Sequence, residues 1–491
     1  MTDALLLIAP VLLPLAGAAI VTLLRSCPRA GEALAFAVTA ATAAMALALH
    51  LRAIDGTMLA VTMFGGWTNG FGIGFAGRLP GTALVLASTV VALAVALFGN
   101  AEIGPRRRRA GHDALALAML GAVNGAFLTT DLFNLYVWFE LALVAAVALV
   151  TLDRRENQIG GAIRYIAFGT SGATAILMGI GLLYGETGTL DLAALARALA
   201  DRPPSVATAA AAALLLGGFA LKSGLVPFHV WLPASYAPAP LTAAALFAGL
   251  LTKMGFYALL LLFAGVFGIA DGHVGAAQLL PWFGWIGAAT MLVGALCALA
   301  QTDIRRLLGY HVLAQVGYMM AGLSVGTREG VIAAVFYMLH SMIVQANLFL
   351  GAGAVRRATG SWDLARTGGM IRSNPVFAFL FAVPMLSLAG IPPMSGFWAK
   401  MLVIRASLDG GAPWIAAAAL AAALLTIISV GSLWSESCWK SLRDRRVRRV
   451  PPAMLGGMAL LSLATLAIGL MPEPVVITAQ LSANALLGLA P

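Results

Sequence analysis

The chain has 491 residues, of which 61% are hydrophobic and only 10% are charged, and its mean hydropathy is +0.93. This composition excludes a soluble globular protein and predicts an all-α polytopic membrane protein. The net charge of +10 comes from basic residues dispersed among short loops, so it indicates membrane orientation and argues against nucleic acid as a partner.

Apolar stretches of about 20 residues, long enough to cross a bilayer as helices, recur along the chain. The first, MTDALLLIAPVLLPLAG, lacks a basic n-region and a small-residue cleavage site, so we expect a first span rather than a removed signal peptide. In chain order the sequence predicts fourteen spans, near residues 4–24, 31–51, 80–99, 112–129, 131–151, 159–184, 205–228, 239–265, 279–300, 306–325, 329–355, 375–405, 413–435 and 452–471.

The loops between these spans differ in charge. Loops after odd-numbered spans carry 20 Lys and Arg residues, and loops after even-numbered spans carry 6. Because basic loops stay on the cytoplasmic side, this alternation predicts that both termini lie outside. We therefore expect a multi-pass protein of a prokaryotic inner membrane.

Glycine and proline interrupt two of the predicted spans. The seventh contains Gly224 and Pro227, and the twelfth contains Gly390, Pro392 and Pro393. Proline removes a helical hydrogen bond and glycine frees the backbone, so both spans are expected to be discontinuous helices.

The two broken spans indicate an internal repeat. If spans 4–8 form one unit and spans 9–13 the next, the discontinuous helix is fourth in each. Five helices per unit give the two units opposite orientations, which is the inverted-repeat architecture of many secondary transporters. The predicted divisions are three N-terminal spans, the first repeat, the second repeat, and a C-terminal span with a tail, at residues 1–110, 111–270, 271–440 and 441–491.

Among the Lys, Asp and Glu residues, four lie inside apolar spans and away from the span ends: Glu140, Lys222, Lys253 and Lys400. A charge at the bilayer centre costs roughly 2.5–3.5 kcal/mol on insertion scales, so such residues usually line a path for ions or protons. Lys222 is the natural partner of Glu140, since an ion pair at about 4 Å is worth about 4 kcal/mol at an effective dielectric near 20. Burial disfavours the charged lysine, so a small displacement of the glutamate would release its proton.

Structural roles are open alternatives for these charges. Glu140 could be a neutral carboxylic acid that hydrogen-bonds a neighbouring helix. Lys253 and, more readily, Lys400 could extend their side chains to the membrane surface.

Neutral polar groups and histidines occur inside the same spans. His229 follows the break in span seven, His311 lies in span ten and His340 in span eleven. An imidazole there can relay a proton near neutral pH or hydrogen-bond another helix. Three amides lie along the same helices: Gln315, Gln345 and Asn347.

Motifs of other chemistry are absent from the sequence. It has no dinucleotide fingerprint, Walker loop or catalytic triad. Its three cysteines, Cys27, Cys297 and Cys438, lack metal-ligand spacing. We expect a transporter rather than an enzyme, with no cofactor and no metal.

The chain resembles the proton-conducting subunits shared by respiratory complex I, membrane-bound hydrogenases and Mrp-type multisubunit cation/proton antiporters. The resemblance covers the whole chain and is carried by DLFNLYVWFELAL (131–143), LKSGLVPFHVWLPASYAPAP (221–240), GLLTKMGFY (249–257), DIRRLLGYHVLAQVGYM (303–319) and SLAGIPPMSGFWAK (387–400). Within this superfamily, FNLYVWFE, GYHVLAQVGYM and LHSMIVQANLFL (339–350) most resemble the D-type subunits of the Mrp antiporters.

The resemblance implies roles for the charged residues. Glu140 and Lys222 would be the carboxylate–lysine pair of a first half-channel. Lys253 would be the central lysine that receives the proton, and His229 an intermediate relay. Lys400 would be the terminal lysine of a second half-channel, reached along a hydrated polar axis.

One position departs from the family pattern. Relatives commonly carry a lysine in span eleven where this chain has Gln345. Glutamine can hydrogen-bond water but holds no proton at neutral pH. The second part of the axis would therefore depend on His311, His340 and water.

Three functions follow as hypotheses. The first is a proton-translocating subunit of a Na⁺(K⁺)/H⁺ antiporter, surrounded by other membrane subunits and membrane lipids. The second is a proton-pumping membrane subunit of a redox complex, either complex I or a membrane-bound hydrogenase. The third is a structural subunit whose charges only hold helices together.

Overall fold

Helices make up most of the described chain. A computed structural model describes residues 3–56, 59–63, 73–201, 205–268, 278–441 and 447–489. The α-helices, in chain order, are α1 (Asp3–Leu23), α2 (Pro28–Ile54), α3 (Gly81–Glu102), α4 (Pro105–Arg109), α5 (His112–Leu128), α6 (Leu132–Val150), α7 (Glu156–Thr187), α8 (Leu192–Ala200), α9 (Val206–Ser223), α10 (Trp231–Tyr236), α11 (Leu241–Leu246), α12 (Thr252–Leu260), α13 (Leu280–Leu299), α14 (Ile304–Ser324), α15 (Arg328–Thr359), α16 (Met370–Ser373), α17 (Pro375–Ala389), α18 (Ser395–Asp409), α19 (Pro413–Trp434), α20 (Pro452–Leu470) and α21 (Glu473–Leu486).

Many of these helices can cross a membrane. Within the described ranges, 11 helical segments are long and apolar enough to do so, and α5 and α17 are shorter apolar helices. The prediction of a helical multi-pass membrane protein is thereby confirmed. Four arginines of the loop-charge pattern lie outside the described residues: Arg202, Arg443, Arg445 and Arg446.

Several small elements lie outside the predicted spans. Helix α8 is amphipathic and buries Leu192, Leu195 and Leu199 on one face. Strands β1 (Leu59–Met63) and β2 (Gly74–Gly77) form an antiparallel hairpin. Helix α21 follows the last predicted span, where the sequence predicted only a tail.

Two helical segments form the centre of the bundle. The most apolar 18-residue windows of α15 and of Leu241–Val266 are 100% buried, whereas the corresponding window of α2 is 28% buried. Helix α15 packs against α14, α18 and α20. Side chains within these two windows are therefore enclosed by the protein.

The central segment Leu241–Val266 is not a uniform α-helix. π-helical turns at Phe247–Leu251 and Leu261–Val266 flank α12. Such turns widen the backbone and often mark functional sites. The first of them lies directly before Lys253.

The chain turns sharply at the two glycines predicted to interrupt helices. Helix α9 ends at Gly224, whose φ is +76°, and α17 ends at Gly390, whose φ is +84°. Glycine adopts this left-handed conformation without the steric cost that a Cβ imposes. The next helices are α10 and α18, and Pro227, Pro392 and Pro393 lie in the connecting turns.

Candidate functional site

An ion pair joins α6 to α9 inside the membrane-spanning region. Lys222 Nζ lies 3.1 Å from Glu140 Oε1, and the two side chains are 7% and 32% exposed. Lys222 occupies the last turn of α9, where the helix dipole favours a cation. Its ammonium also lies 5.9 Å from the centre of the Phe139 ring. The carboxylate predicted for Lys222 is therefore within hydrogen-bond reach.

The backbone next to Lys222 packs closely on the helix that carries Lys253. A Cβ placed on Gly255 would lie 2.6 Å from Ser223 Oγ and 2.9 Å from Ser223 N, so only glycine permits this approach. A cavity of about 20 Å³ lies beside Lys222 and is also lined by Leu251 and Met254 of the Lys253 segment. This volume accommodates about one water molecule.

Lys253 is fully enclosed by protein. Its side chain has no exposed surface, and its Nζ donates to the carbonyl oxygen of Ala248 at 2.6 Å. Ala248 belongs to the π-helical turn that precedes α12. Among the described residues no carboxylate lies within ion-pair distance of Lys253, which makes its charged form costly.

Lys400 points into the break between α17 and α18. Its Nζ donates to the carbonyl oxygens of Leu388 and Ala389, both at 2.9 Å. These are the last carbonyls of α17, which lack helical donors and carry the negative end of the helix dipole. Lys400 is 7% exposed, so it does not extend to the membrane surface.

Hydrogen bonds across the same break connect His340 to α17 and α18. His340 Nδ1 lies 2.9 Å from Ser395 Oγ, and Ser395 Oγ lies 2.9 Å from Ser387 Oγ. Ser387 also accepts a hydrogen bond from the backbone N–H of Gly396. His340 and Lys400 therefore share one polar cluster around the helix break.

A second polar stripe runs along α14. His311 Nε2 lies 2.9 Å from Ser429 Oγ, and Gln315 accepts a hydrogen bond from Ser341 Oγ at 2.5 Å. The Tyr318 ring lies 5.7 Å from Lys400 Nζ. His311, Gln315 and Tyr318 follow the helical repeat and share one face of α14.

Several buried polar atoms have no hydrogen-bond partner among the described residues. They are Thr130 Oγ1, Trp138 Nε1, His229 Nδ1, Thr252 Oγ1, His311 Nδ1, Gln315 Nε2, Asn347 Oδ1 and both amide atoms of Gln345. Each costs about 1–3 kcal/mol if it stays unsatisfied. Helices α14 and α15, which carry five of these nine atoms, contact both α12 and α18. More than half of the unsatisfied atoms therefore lie on the helices that touch the elements of both Lys253 and Lys400.

His229 stands apart from this group. It is half-buried in the turn after α9, and among the described residues no hydrogen bond joins it to Lys222 or Lys253. Within the described ranges, no group of three or more His, Cys, Asp or Glu side chains could hold a metal ion.

Apart from Glu140, the sequence did not single out the groups that hold the buried lysines and histidines. These groups are backbone carbonyls and the hydroxyls of Ser387, Ser395 and Ser429. Every residue has a backbone carbonyl, so the residue type does not show which carbonyl will bind a lysine. Serine is frequent in helices of every kind. Only Ser395 carried a signal, because it follows the interruption at Pro392 and Pro393.

Comparison with known proteins identifies the family. The family described as NADH:quinone oxidoreductase/Mrp antiporter, transmembrane, matches residues 129–426. The chain is 35% identical to the D subunit of the Na⁺/H⁺ antiporter of Alkalihalophilus pseudofirmus over 420 residues, which is 85% of this chain and 84% of that protein.

Solved structures extend the similarity to the whole fold. A chain of the Mrp complex from Dietzia sp. DQ12-45-1b superposes with a TM-score of 0.91 at 29% identity, covering 99% of this chain and 98% of that chain. A chain of the membrane-bound sulfane sulfur reductase, an archaeal respiratory membrane complex, superposes with a TM-score of 0.90 at 26% identity, covering 99% and 97%. The chain therefore belongs to the NADH:quinone oxidoreductase/Mrp antiporter family of membrane proteins.

Proposed function

We propose that this chain is the proton-translocating subunit of a multisubunit Na⁺(K⁺)/H⁺ antiporter. Protons move along a mid-membrane series of Glu140, three lysines, His229, His311, His340 and Gln345. Movement of protons through this series is coupled to cation export by the assembly. The assembly lies in a prokaryotic inner membrane, with both termini of this chain on the outer side.

One observation carries the proposal. Lys222, Lys253 and Lys400 are all buried inside a membrane bundle, yet only Lys222 has a carboxylate within hydrogen-bond distance among the described residues. A buried ammonium held by carbonyls alone is poised to lose its proton, because burial favours the neutral amine. A static structural role would be served equally well by apolar residues.

The proposed path has two parts. In the first, Glu140 holds Lys222 charged, and displacement of the glutamate passes a proton through the adjoining one-water cavity toward Lys253. In the second, water bound to the unsatisfied atoms of Gln345, Gln315 and His311 connects Lys253 to the Lys400 cluster. Water is the expected partner of buried polar atoms that have no protein partner.

The proposed architecture has fourteen spans with two inverted five-helix repeats, at residues 111–270 and 271–440. Matched local structures support it. The backbone of Asp131 forms an isolated antiparallel β-bridge with that of Asp191, and the backbone of Asp303 forms one with that of Asp363. The two partners are equally far apart in the chain in both bridges. Each first member also caps the second helix of its unit, α6 or α14.

The helix breaks match in the same way. The N–H of Gly224 donates to the carbonyls of Ala220 and Leu221. The N–H of Gly390 donates to those of Leu386 and Ser387, at the equivalent positions before the break. The same chain reversal therefore recurs in both proposed units.

Other membrane subunits are the proposed partners. The Glu140 side chain is 32% exposed on the outside of this single chain. A partly exposed carboxylate facing lipid would be costly, so a neighbouring subunit is expected to cover it. We expect the isolated chain not to exchange ions alone.

The alternative function is a proton-pumping membrane subunit of a redox complex. The similarity to a chain of an archaeal respiratory membrane complex, with a TM-score of 0.90, favours it. The proton path would be the same, and the driver would be electron transfer in other subunits.

The test uses the whole assembly expressed from its neighbouring genes. Everted vesicles are energised, and the recovery of the pH gradient is followed after addition of Na⁺ or K⁺. Wild type is compared with Glu140→Ala and Lys222→Ala, and copurification of the other subunits reports assembly.

Cation-dependent recovery that both variants abolish, with normal assembly, supports the antiporter. Proton pumping that requires an electron donor and ignores added cations supports the redox alternative. Loss of assembly in both variants supports the purely structural role. Exchange by the purified single chain in proteoliposomes would contradict the need for partner subunits.

A further inference from the structure

A cavity of about 780 Å³ lies at the end of the bundle that carries the arginine-rich loops. None of the four intramembrane charges lines it. Both proposed repeats contribute to its walls. Arg155 and Pro240 belong to the first repeat, and Arg305 and Gly360 belong to the second. The proton series described above does not account for this cavity.

The cavity has a surplus of positive charge. Six arginines and two carboxylates line it. Both carboxylates, Glu102 and Asp153, pair with Arg107, at 2.8 Å and 2.6 Å. Among the described residues, Arg356, Arg357 and Arg448 have no carboxylate within ion-pair distance.

Aromatic stacking orients two of the lining arginines. The guanidinium carbons of Arg305 and Arg356 lie 4.5 Å and 5.9 Å from the Trp362 ring centre. Arg305 also forms an ion pair with Asp303 at 2.6 Å, so its charge is already matched. A guanidinium over an indole keeps its N–H groups for hydrogen bonds in its own plane, so Arg356 is positioned by Trp362 without being neutralised by the ring.

Two helix ends at the cavity have opposite effects on anion binding. The segment that starts at Leu241 presents its N-terminus to the cavity, which favours an anion. Helix α15 ends there at Thr359, and its C-terminus disfavours an anion. The arginines therefore decide the sign of the potential. Membrane orientation requires basic loops at this end, but it does not require them to converge on a concave site.

We propose that this cavity binds a phosphate-bearing ligand, held by Arg356, Arg357 and Arg448. Guanidinium forks match the oxygens of a phosphate, and the cavity volume is in the range of sites for small ligands. The phosphate belongs either to a phospholipid headgroup or to a soluble molecule. The binding chemistry is the same for both.

The experiment measures binding to the purified full-length chain. Native mass spectrometry of the delipidated protein counts retained phosphatidylglycerol, with phosphatidylcholine as the comparison lipid. Calorimetry with inorganic pyrophosphate probes a soluble ligand. The variant is R356Q/R357Q, and its matched control is R106Q/R109Q, which removes two exposed arginines at the same end but outside this cavity.

We expect R356Q/R357Q to bind the phosphate ligand at least about tenfold more weakly, and the control to bind it like wild type. Binding of phosphatidylglycerol alone identifies a lipid headgroup, and binding of pyrophosphate identifies a soluble ligand. Equal loss in both double variants, or binding of neither probe by wild type, overturns the proposal.

A second variant covers the case in which R356Q/R357Q does not fold. R356K/R357K keeps both charges but loses the planar fork. Weaker binding by this variant supports the site, and unchanged binding overturns it.

Discussion

The ammonium group of Lys400 lies 2.9 Å from the carbonyl oxygen of Ala389, the last residue of α17. Lys222, by contrast, lies 3.1 Å from a full carboxylate. A helix C-terminus carries only about half an elementary charge. Lys400 is therefore held less firmly in its charged form than Lys222, which suits a group that hands its proton on.

Replacing Glu140 by glutamine is expected to stop proton transfer at its first step. The amide keeps the size of the side chain but cannot hold Lys222 charged. Cation-dependent recovery of the pH gradient in everted vesicles of the whole assembly should fall about a hundredfold, the usual scale for loss of a proton-transfer group. Glu329→Gln, which removes an exposed partner of Arg328, should leave the recovery of the pH gradient unchanged. Equal rates for the two variants would contradict the role of Glu140.

Replacing Gly390 by alanine is expected to disturb Lys400. A Cβ there would lie 2.8 Å from Lys400 Cδ and 3.2 Å from its Nζ, and the φ of +84° strains any L-residue by about 1–2 kcal/mol. Gly411→Ala is the matched control, because Gly411 has a φ of +73° and nothing within 4 Å. The melting temperature should fall for both variants. The rate of cation-dependent recovery of the pH gradient should fall only for Gly390→Ala.

Replacing Gln345 by leucine is expected to interrupt the second part of the path. Both amide atoms of Gln345 are buried without a hydrogen-bond partner among the described residues, so leucine would remove the groups that we propose to bind water. Transport should fall at least about tenfold with little change in the melting temperature. Thr426→Val is the control, because Thr426 bonds only its own helix at Ala422. Normal transport by Gln345→Leu would show that the proton path does not pass Gln345.

Acid is expected to weaken the contact between α4, which carries Arg107, and the turn after α6, which carries Asp153. The hydrogen bond from Arg107 holds the pKa of Asp153 below its usual value, although burial opposes this. A carboxyl group with a lowered folded pKa stabilises the protein above its unfolded pKa of about 3.9 and loses that contribution as the pH falls through the folded value. Asp153→Asn should therefore cost about 1–3 kcal/mol at neutral pH, and this cost should shrink as the pH falls through the folded pKa.

Thermal unfolding of the full chain across pH measures this effect. Asp409→Asn is the control, since the Arg405–Asp409 pair is 76% and 63% exposed and contributes little. A loss of stability in Asp153→Asn that is the same at acidic and neutral pH would contradict the assignment.

The amino-acid sequence by itself determined that the chain is a helical multi-pass membrane protein and which charged residues interrupt its apolar stretches. Apolar windows, loop arginines and the glycine–proline interruptions are local features, so they can be recognised without knowing how helices pack. Glu140 and Lys222 could be matched because Glu140 is the one carboxylate that lies away from the ends of the predicted spans. The segments that carry the family resemblance are local for the same reason.

Only the tertiary structure decided what holds Lys253 and Lys400. Lys253 and Lys400 bond to carbonyls of Ala248, Leu388 and Ala389, and every residue type carries such a carbonyl. Which carbonyls are free depends on a π-helical turn and on a helix end, and which side chains reach them depends on packing. The arginine cavity has the same origin, because its walls come from loops far apart in the chain that meet only after the helices assemble.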